Sequence, residues 1–313
     1  MTVPPLLVIA GATATGKTGL SIAIARVLAA EGVPAEIISA DSRQVYRGLD
    51  IGTAKASLED RSDVRHHGLD LVEPSETFSL ADFAGHAHEA LAVIAERGGI
   101  AILVGGTGLY LRAVGRGIDT DALPSDPQLR ARLEADLTRD GLAPLVARLE
   151  AAAPGRATRT DLRNPRRVVR ALEIVELEGD REPPPPRGYG APATWIGLSV
   201  DHAMHRGWIA ARARAQFDAG LVEEARVLRE RFDPTLPAFS AIGYREAWAV
   251  LDGTMTKEAA IAEDARRNVG FAKRQRTWFR SEPGVEWLDA ANEQESCTRA
   301  LRLTRELLGQ AAG

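Results

Sequence analysis

Residues Gly11-Ala12-Thr13-Ala14-Thr15-Gly16-Lys17-Thr18 follow directly on the apolar run Leu6-Leu7-Val8-Ile9-Ala10. The octet has the form G-x-x-x-x-G-K-T, set between a buried strand and a helix. Its glycines let backbone N–H groups turn inward around an anion, and the helix that follows brings its positive end to the same place. Lys17 adds a point charge and Thr18 a hydroxyl suited to Mg²⁺. Leu20, Ile24, Val27 and Leu28 then recur at helical spacing, and Gly32 with Pro34 closes the helix. The same start is found in ATP-binding and other nucleotide-binding proteins. It predicts a grip on a diphosphate or triphosphate through Gly11, Thr13, Ala14, Thr15, Gly16, Lys17 and Thr18.

Outward from this loop, further strand-like runs lie at 36–39, 100–104 and 195–200, with helical patterns between them. One helix spans 79–97, with Ser79 and Asp82 as a capping pair and Phe83, Ala87, Leu91 and Ile94 as its apolar stripe. Strands alternating with helices predict an α/β core, a P-loop NTPase-like parallel sheet flanked by helices. Residues 124–187 carry no strand signal. Leucines and valines recur there at helical spacing, and Pro183-Pro184-Pro185-Pro186 ends the stretch as a stiff spacer. We read it as a small all-helical insertion domain, 123–190, within a core made of 1–122 and 191–313. After Val200 the pattern reads as helical to the end, with Pro234 and Pro237 marking a loop.

The chain has 313 residues, 45% of them hydrophobic, and a net charge of −4. Mean hydropathy is −0.15. No run nears the roughly 18 apolar residues of a membrane span, and the start shows no signal-peptide pattern. The single cysteine, Cys297, excludes internal disulfides and thiolate zinc clusters. These features predict a soluble cytoplasmic protein. Two basic segments stand out in the acidic chain. Arg156, Arg159, Arg163, Arg166, Arg167 and Arg170 form one, and Arg266, Arg267, Lys273, Arg274, Arg276 and Arg280 the other. They are either an RNA footprint or solvated helix faces.

Three further features narrow the chemistry. The second strand runs into Asp41-Ser42-Arg43-Gln44, at the sheet end where ligands gather. A carboxylate beside a phosphate repels it unless it faces the other reactant, so Asp41 suits a general base. The alternative is a loop carboxylate that caps a helix. The run at 100–104 ends in Gly105-Gly106-Thr107, where a typical ATPase carries an aspartate for Mg²⁺. Such a loop exposes N–H groups and the Thr107 hydroxyl, and so favours binding over hydrolysis; the alternative is a tight turn. Finally, Arg212 offers a clamp on the diphosphate opposite Lys17, or else is a surface group.

With these residues in hand the chain resembles the bacterial tRNA dimethylallyltransferases (tRNA isopentenyltransferases). The resemblance runs through the octet, Asp41-Ser42-Arg43-Gln44-Val45-Tyr46, His66-His67-Gly68-Leu69-Asp70, Gly105-Gly106-Thr107, Arg170-Ala171-Leu172-Glu173, Gly243-Tyr244-Arg245 and Ala272-Lys273-Arg274-Gln275 with Thr277-Trp278-Phe279-Arg280. It implies transfer of a dimethylallyl group from dimethylallyl diphosphate to N6 of adenosine 37, next to the tRNA anticodon. In that family the loop holds the prenyl diphosphate and not ATP. By the resemblance, Asp41 matches the base, with Lys17 and Thr107 beside it as catalytic candidates. Asp41, Ser42, Arg43 and Gln44 match a stretch that touches tRNA, as do Thr107, Arg130, Arg166, Arg167 and Arg170. The implied partners are the tRNA anticodon stem-loop and dimethylallyl diphosphate, with Mg²⁺ at Thr18 and Arg212 as a further diphosphate contact. A monomer with no membrane association is expected. The family usually has Met at position 216, Gln at 240 and a Thr-Arg pair at 268 and 269, where this chain has Gln216, Ser240 and Asn268-Val269. A small-molecule kinase, with Asp41 activating a hydroxyl, is the runner-up. A nucleotide-gated RNA-binding module is the non-enzymatic reading.

Overall fold

A computed structural model of the chain describes residues 3–120, 124–182 and 184–312. Six strands, β1 (Leu6–Gly11), β2 (Ala35–Ser39), β3 (His66–His67), β4 (Ile100–Gly105), β5 (Ala193–Ser199) and β6 (Val285–Asp289), form one sheet in the order β3-β2-β4-β1-β5-β6. Every pairing is parallel. Helices α1 (Lys17–Ala30), α2 (Leu58–Asp63), α3 (Leu80–Glu96) and α4 (Gly108–Gly115) belong to the first half. After the helical stretch come α9 (His202–Asp218), α10 (Leu221–Arg231), α11 (Tyr244–Leu251), α12 (Lys257–Arg280) and α13 (Glu293–Ala312).

Successive strand residues point to opposite faces, and β1 is buried on both. Leu7 and Ile9 join Ile24 and Leu28 of α1 and Leu303 and Leu307 of α13 in one core. Leu6 and Val8 join Phe83 and Leu91 of α3 and Leu111 of α4 in the other. The capping pair before α3 is formed: the Ser79 hydroxyl accepts the Asp82 N–H while the Asp82 carboxylate accepts the Ser79 N–H at 2.8 Å. A third core, around Phe217, Leu221, Tyr244 and Trp248, packs against Val45 and Leu49 in the loop after β2.

The reading of a helical tail after Val200, interrupted only at Pro234 and Pro237, is corrected by β6. Only Leu288 of its five residues is buried, so the strand shows no apolar run; it exists because it pairs with β5 at the sheet edge. β3 is two residues long and was equally invisible.

Chain contacts separate two units, residues 1–117 with 188–313, and 118–187. The second consists of α5 (Pro127–Asp140), α6 (Leu142–Ala152), α7 (Pro154–Arg159) and α8 (Pro165–Glu178). Leu129, Leu133, Leu145, Leu149, Val168 and Leu172 make its core. Asp126 and Asn164 cap α5 and α8, each ahead of a proline in the first turn. Position 122/123, where the sequence places the domain boundary, and Pro183 lie outside the described residues.

Candidate active site

The octet wraps the carboxyl end of β1. Gly16 adopts φ 81° at the N-cap of α1, a left-handed turn that glycine takes without a Cβ penalty. Gly11 lies against the β5 backbone, where a Cβ would come 3.0 Å from the Leu198 carbonyl. The N–H groups of residues 14–19 have no acceptor among the described residues, so they are free for an anion. The Thr15 hydroxyl is turned inward and donates to the Ala12 carbonyl at 2.9 Å. Thr18 is exposed at the second position of α1. Lys17 donates to the Ala12 carbonyl at 2.7 Å. Burial, then the neighbouring Arg212, lower its ammonium to about 7, and Asp41 opposes them.

Thr13 is held from three directions by elements far away in sequence. Its hydroxyl accepts from Arg212 of α9 at 2.6 Å. Its N–H donates to the Gln275 amide oxygen of α12 at 2.8 Å. Its carbonyl accepts from His205 Nε2 at 2.8 Å. Gln275 then donates to the Gly106 carbonyl at 3.0 Å, and so ties the phosphate loop to the loop after β4.

That second loop explains the glycines. A Cβ on Gly105 would fall 2.1 Å from the Ala40 carbonyl oxygen, and one on Gly106 would fall 2.4 Å from Gln275 Nε2. The pair is there for close packing. The expectation that this loop offers N–H groups to a ligand is corrected at Thr107, whose N–H is taken by the Ala40 carbonyl at 3.1 Å. The Thr107 hydroxyl accepts the Ser42 N–H at 3.0 Å and so shapes the turn that carries Asp41.

Asp41 Oδ1 accepts the Arg43 N–H at 2.8 Å; Oδ2 has no partner among the described residues. Two cavities meet at this carboxylate. One, of about 290 Å³, is lined by Thr13 to Thr18, with Ile37, Leu69 and Val104 as apolar wall. The other, of about 480 Å³, opens past Ser42, Arg43 and Thr107 to Arg266, Arg267 and Arg274. Thr13, Asp41, Thr53, Arg212 and Phe271 line both. Phe271 is 37% exposed, a ring left at the junction.

The remaining expected site residues fall elsewhere. Gln44 lines the first cavity, but its amide is engaged, accepting from Ser39 at 2.8 Å and donating to the Thr53 carbonyl at 3.1 Å. Arg43 reaches the Pro237 carbonyl at 2.9 Å. In the helical unit Arg130 and Arg170 grip the buried Glu173 at 2.9 and 2.7 Å. Arg166 and Arg167 on the same helix as Arg170 are exposed. Departure residues are built in as well. Gln216 donates to the Ile51 and Gly52 carbonyls at 2.6 and 2.9 Å, and Asn268 to Asp264 at 2.8 Å.

Four groups have no site role assigned from the sequence. Gln275 and His205 hold Thr13, and Phe271 sits at the junction. Glu224 accepts the N–H groups of Asp50, Ile51 and Gly52, at 3.1, 2.7 and 3.1 Å, and the Tyr244 hydroxyl at 2.7 Å, which fixes the loop that brings Thr53 to the site. Gln275 had a signal, the Ala272-Lys273-Arg274-Gln275 block; the others had none.

Sheet, octet and paired cavities define a P-loop-like α/β protein with room for two ligands that meet at one carboxylate. The family model described as IPP transferase matches residues 44–282. A tRNA dimethylallyltransferase of Bifidobacterium animalis subsp. lactis is 45% identical over 91% of this chain and 82% of that protein. One of Anaeromyxobacter dehalogenans is 44% identical over 94% and 98%. The full-length tRNA isopentenylpyrophosphate transferase of Bacillus halodurans superposes with a TM-score of 0.71, at 37% identity, over 98% of this chain and 97% of that one. A eukaryotic dimethylallyltransferase solved acting on tRNA shares the fold, with a TM-score of 0.81 at 24% identity. The chain belongs to the IPP transferase family, whose curated relatives are tRNA dimethylallyltransferases. Nothing in these likenesses supports a kinase. Among the described residues no helix is long and apolar enough to cross a membrane.

Proposed function

We propose that this enzyme transfers the dimethylallyl group of dimethylallyl diphosphate to N6 of adenosine 37 in tRNA, giving N6-(dimethylallyl)adenosine. The observation that carries the reading is Asp41: its free Oδ2 belongs to a carboxylate shared by the anion-binding cavity and the basic-rimmed one.

An exocyclic adenine amine is a weak nucleophile, because its lone pair is delocalised into the ring. The N6–C1 bond forms as the C1–O bond breaks; the electron pair leaves with the diphosphate, and the N6 proton passes to Asp41. Positive charge shared over the allyl group makes the transition state loose. The free amides of residues 14–19, Lys17 and Arg212 are aimed at the charge that grows on the leaving group. Ile37, Leu69 and Val104 supply apolar surface for the prenyl carbons. The adenine has to leave its stack to reach Asp41, and the second cavity is the route we assign to it. Exposed Arg166 and Arg167 are available for loop phosphates, an affinity that salt would weaken.

Mg²⁺ is part of the proposal. Among the described residues no group of three His, Cys, Asp or Glu is arranged for a metal. The exposed Thr18 hydroxyl suits an ion held mainly by substrate oxygens and water, as Mg²⁺ is. Bound there, the ion would neutralise charge on the departing diphosphate. We place the enzyme in the cytoplasm, with its tRNA, as a monomer; sedimentation would test the latter.

The test is direct: incubate the chain with Mg²⁺, dimethylallyl diphosphate and an anticodon stem-loop, and weigh the RNA. One prenyl mass on the adenine is expected. No added mass, together with ATP turnover in a parallel reaction supplied with ATP, would return the kinase reading.

A further inference from the structure

On the other side of the phosphate loop a separate cavity of about 330 Å³ opens between the end of β5, the start of α9, the last turns of α12 and β6. It meets the loop only at Ala12 and Thr15 and contains neither Lys17 nor Asp41. Arg276 and Arg280 line it together with His202 and His205, and no carboxylate does.

That charge pattern is unlike two other arginine pairs among the described residues. Arg112 and Arg116 share the buried Glu282, and Arg130 and Arg170 share Glu173. Arg276 instead donates to two imidazoles, His205 Nδ1 at 2.8 Å and His202 Nδ1 at 3.5 Å. His205 also faces the Thr13 carbonyl with Nε2. An imidazole that donates at Nε2 and accepts at Nδ1 is neutral, so it orients Arg276 without balancing its charge. Arg280 has no acidic partner among the described residues and repels Arg276; burial and that repulsion both disfavour the Arg276 cation. Two guanidinium groups turned into one concave space without a counter-charge call for an anion. The other wall is carbon. Trp287 leaves an indole 41% exposed on the edge strand, and Phe279 and Leu198 form the floor.

We propose that this cavity is a second ligand site, for a nucleoside phosphate: phosphate on Arg276 and Arg280, base against the Trp287 indole. An exposed indole offers a flat face to a base, and paired guanidinium groups match phosphate oxygens. A concave space with an apolar floor suits a small molecule better than an RNA backbone, which needs an open track of cations. The cavity's cations and indole would hold such a ligand whatever the phosphate loop binds, although His205 also fastens Thr13.

The experiment titrates AMP into the full chain at physiological salt and follows tryptophan fluorescence, with W287F as reference. A saturable change absent from W287F is expected, with the apparent Kd about tenfold higher in R280Q and in R276Q. R280Q alters an exposed side chain, so it answers even if R276Q folds poorly. No saturable change, or the same Kd in R280Q, overturns the proposal. Equal affinity for inorganic phosphate means a bare anion hole and overturns the base recognition. A response to the anticodon stem-loop but not to AMP assigns the surface to RNA and overturns it too.

Discussion

The Gln275 amide oxygen accepts the backbone N–H of Thr13 at 2.8 Å, across 262 positions of sequence. This bond and its companion to Gly106 make a helix near the carboxyl end of the chain part of the phosphate loop's scaffold. Gln275→Ala would leave the Thr13 N–H and the Gly106 carbonyl without partners, at a cost of about 1–3 kcal/mol. Lower thermal stability and weaker binding of dimethylallyl diphosphate are expected together. Unchanged values for both would show that the bridge positions nothing.

Asp41→Asn preserves shape and removes basicity. Single-turnover prenylation should fall by about 10²–10⁴, while calorimetry should find prenyl diphosphate binding close to that of the unaltered chain. A single-turnover rate near normal would take Asp41 out of the proton transfer.

Lys17 sets a pH dependence. With its ammonium lowered to about 7 by burial and Arg212, the unliganded loop is half charged near neutrality. A bound diphosphate favours the charged form, so affinity is full below about pH 7 and falls as pH rises past it. At pH 8, heats of binding measured in buffers of different ionisation enthalpy should reveal proton uptake. Stability runs the opposite way. The unfolded chain keeps the ordinary 10.5, so between about 7 and 10.5 it holds more protons, and the penalty from Lys17 fades as pH climbs. Lys17→Met should therefore stabilise most below pH 7.

Arginines of the helical unit divide by partner. Arg130 closes on the buried Glu173, which Arg170 and the Asp126 N–H also hold, so Arg130→Ala should destabilise by about 1–3 kcal/mol, read by thermal unfolding. Exposed Arg166 and Arg167 should behave in the reverse manner: the double alanine variant keeps its stability but binds the stem-loop more weakly. The slope of log affinity against log salt should become shallower by about 1–2. Equal slopes would mean that neither meets a phosphate.

Phe271 is expected to carry the target base. Stacking on an aromatic ring is worth about 1–3 kcal/mol by alanine substitution. Phe271→Ala should raise the KM for the stem-loop, spare prenyl diphosphate binding, and be rescued by Phe271→Trp. Since the ring is partly exposed, folding should not change. A prenyl diphosphate affinity that falls as much as the stem-loop affinity would make the ring a wall of the first cavity alone.

Most of the sheet could be read because its inner strands are buried on both faces and therefore written as apolar runs, as at Leu6-Leu7-Val8-Ile9. The edge strands could not. Val285-Glu286-Trp287-Leu288-Asp289 buries only Leu288, and its strand identity comes from hydrogen bonds to β5. Ser79 and Asp82 announced a helix start because a capping box closes within four residues. Gly105 and Gly106 were visible as glycines, but the reason for them, the Ala40 carbonyl and the Gln275 amide, lies in other segments. Arg170 belonged to a basic stretch and Arg130 to a position matched to tRNA contact, with no hint that one buried glutamate holds both.

By itself the sequence determined the phosphate loop: a strand, a turn that needs glycine at position 16, and a helix start, all set by interactions spanning a few residues. Only the tertiary structure decided what faces that loop. Asp41, Arg212 and Phe271 come from three distant segments to border the same two cavities, while Gln275 and His205 fasten Thr13 from two helices. Such meetings depend on how the sheet and its helices pack, and local spacing carries no record of them.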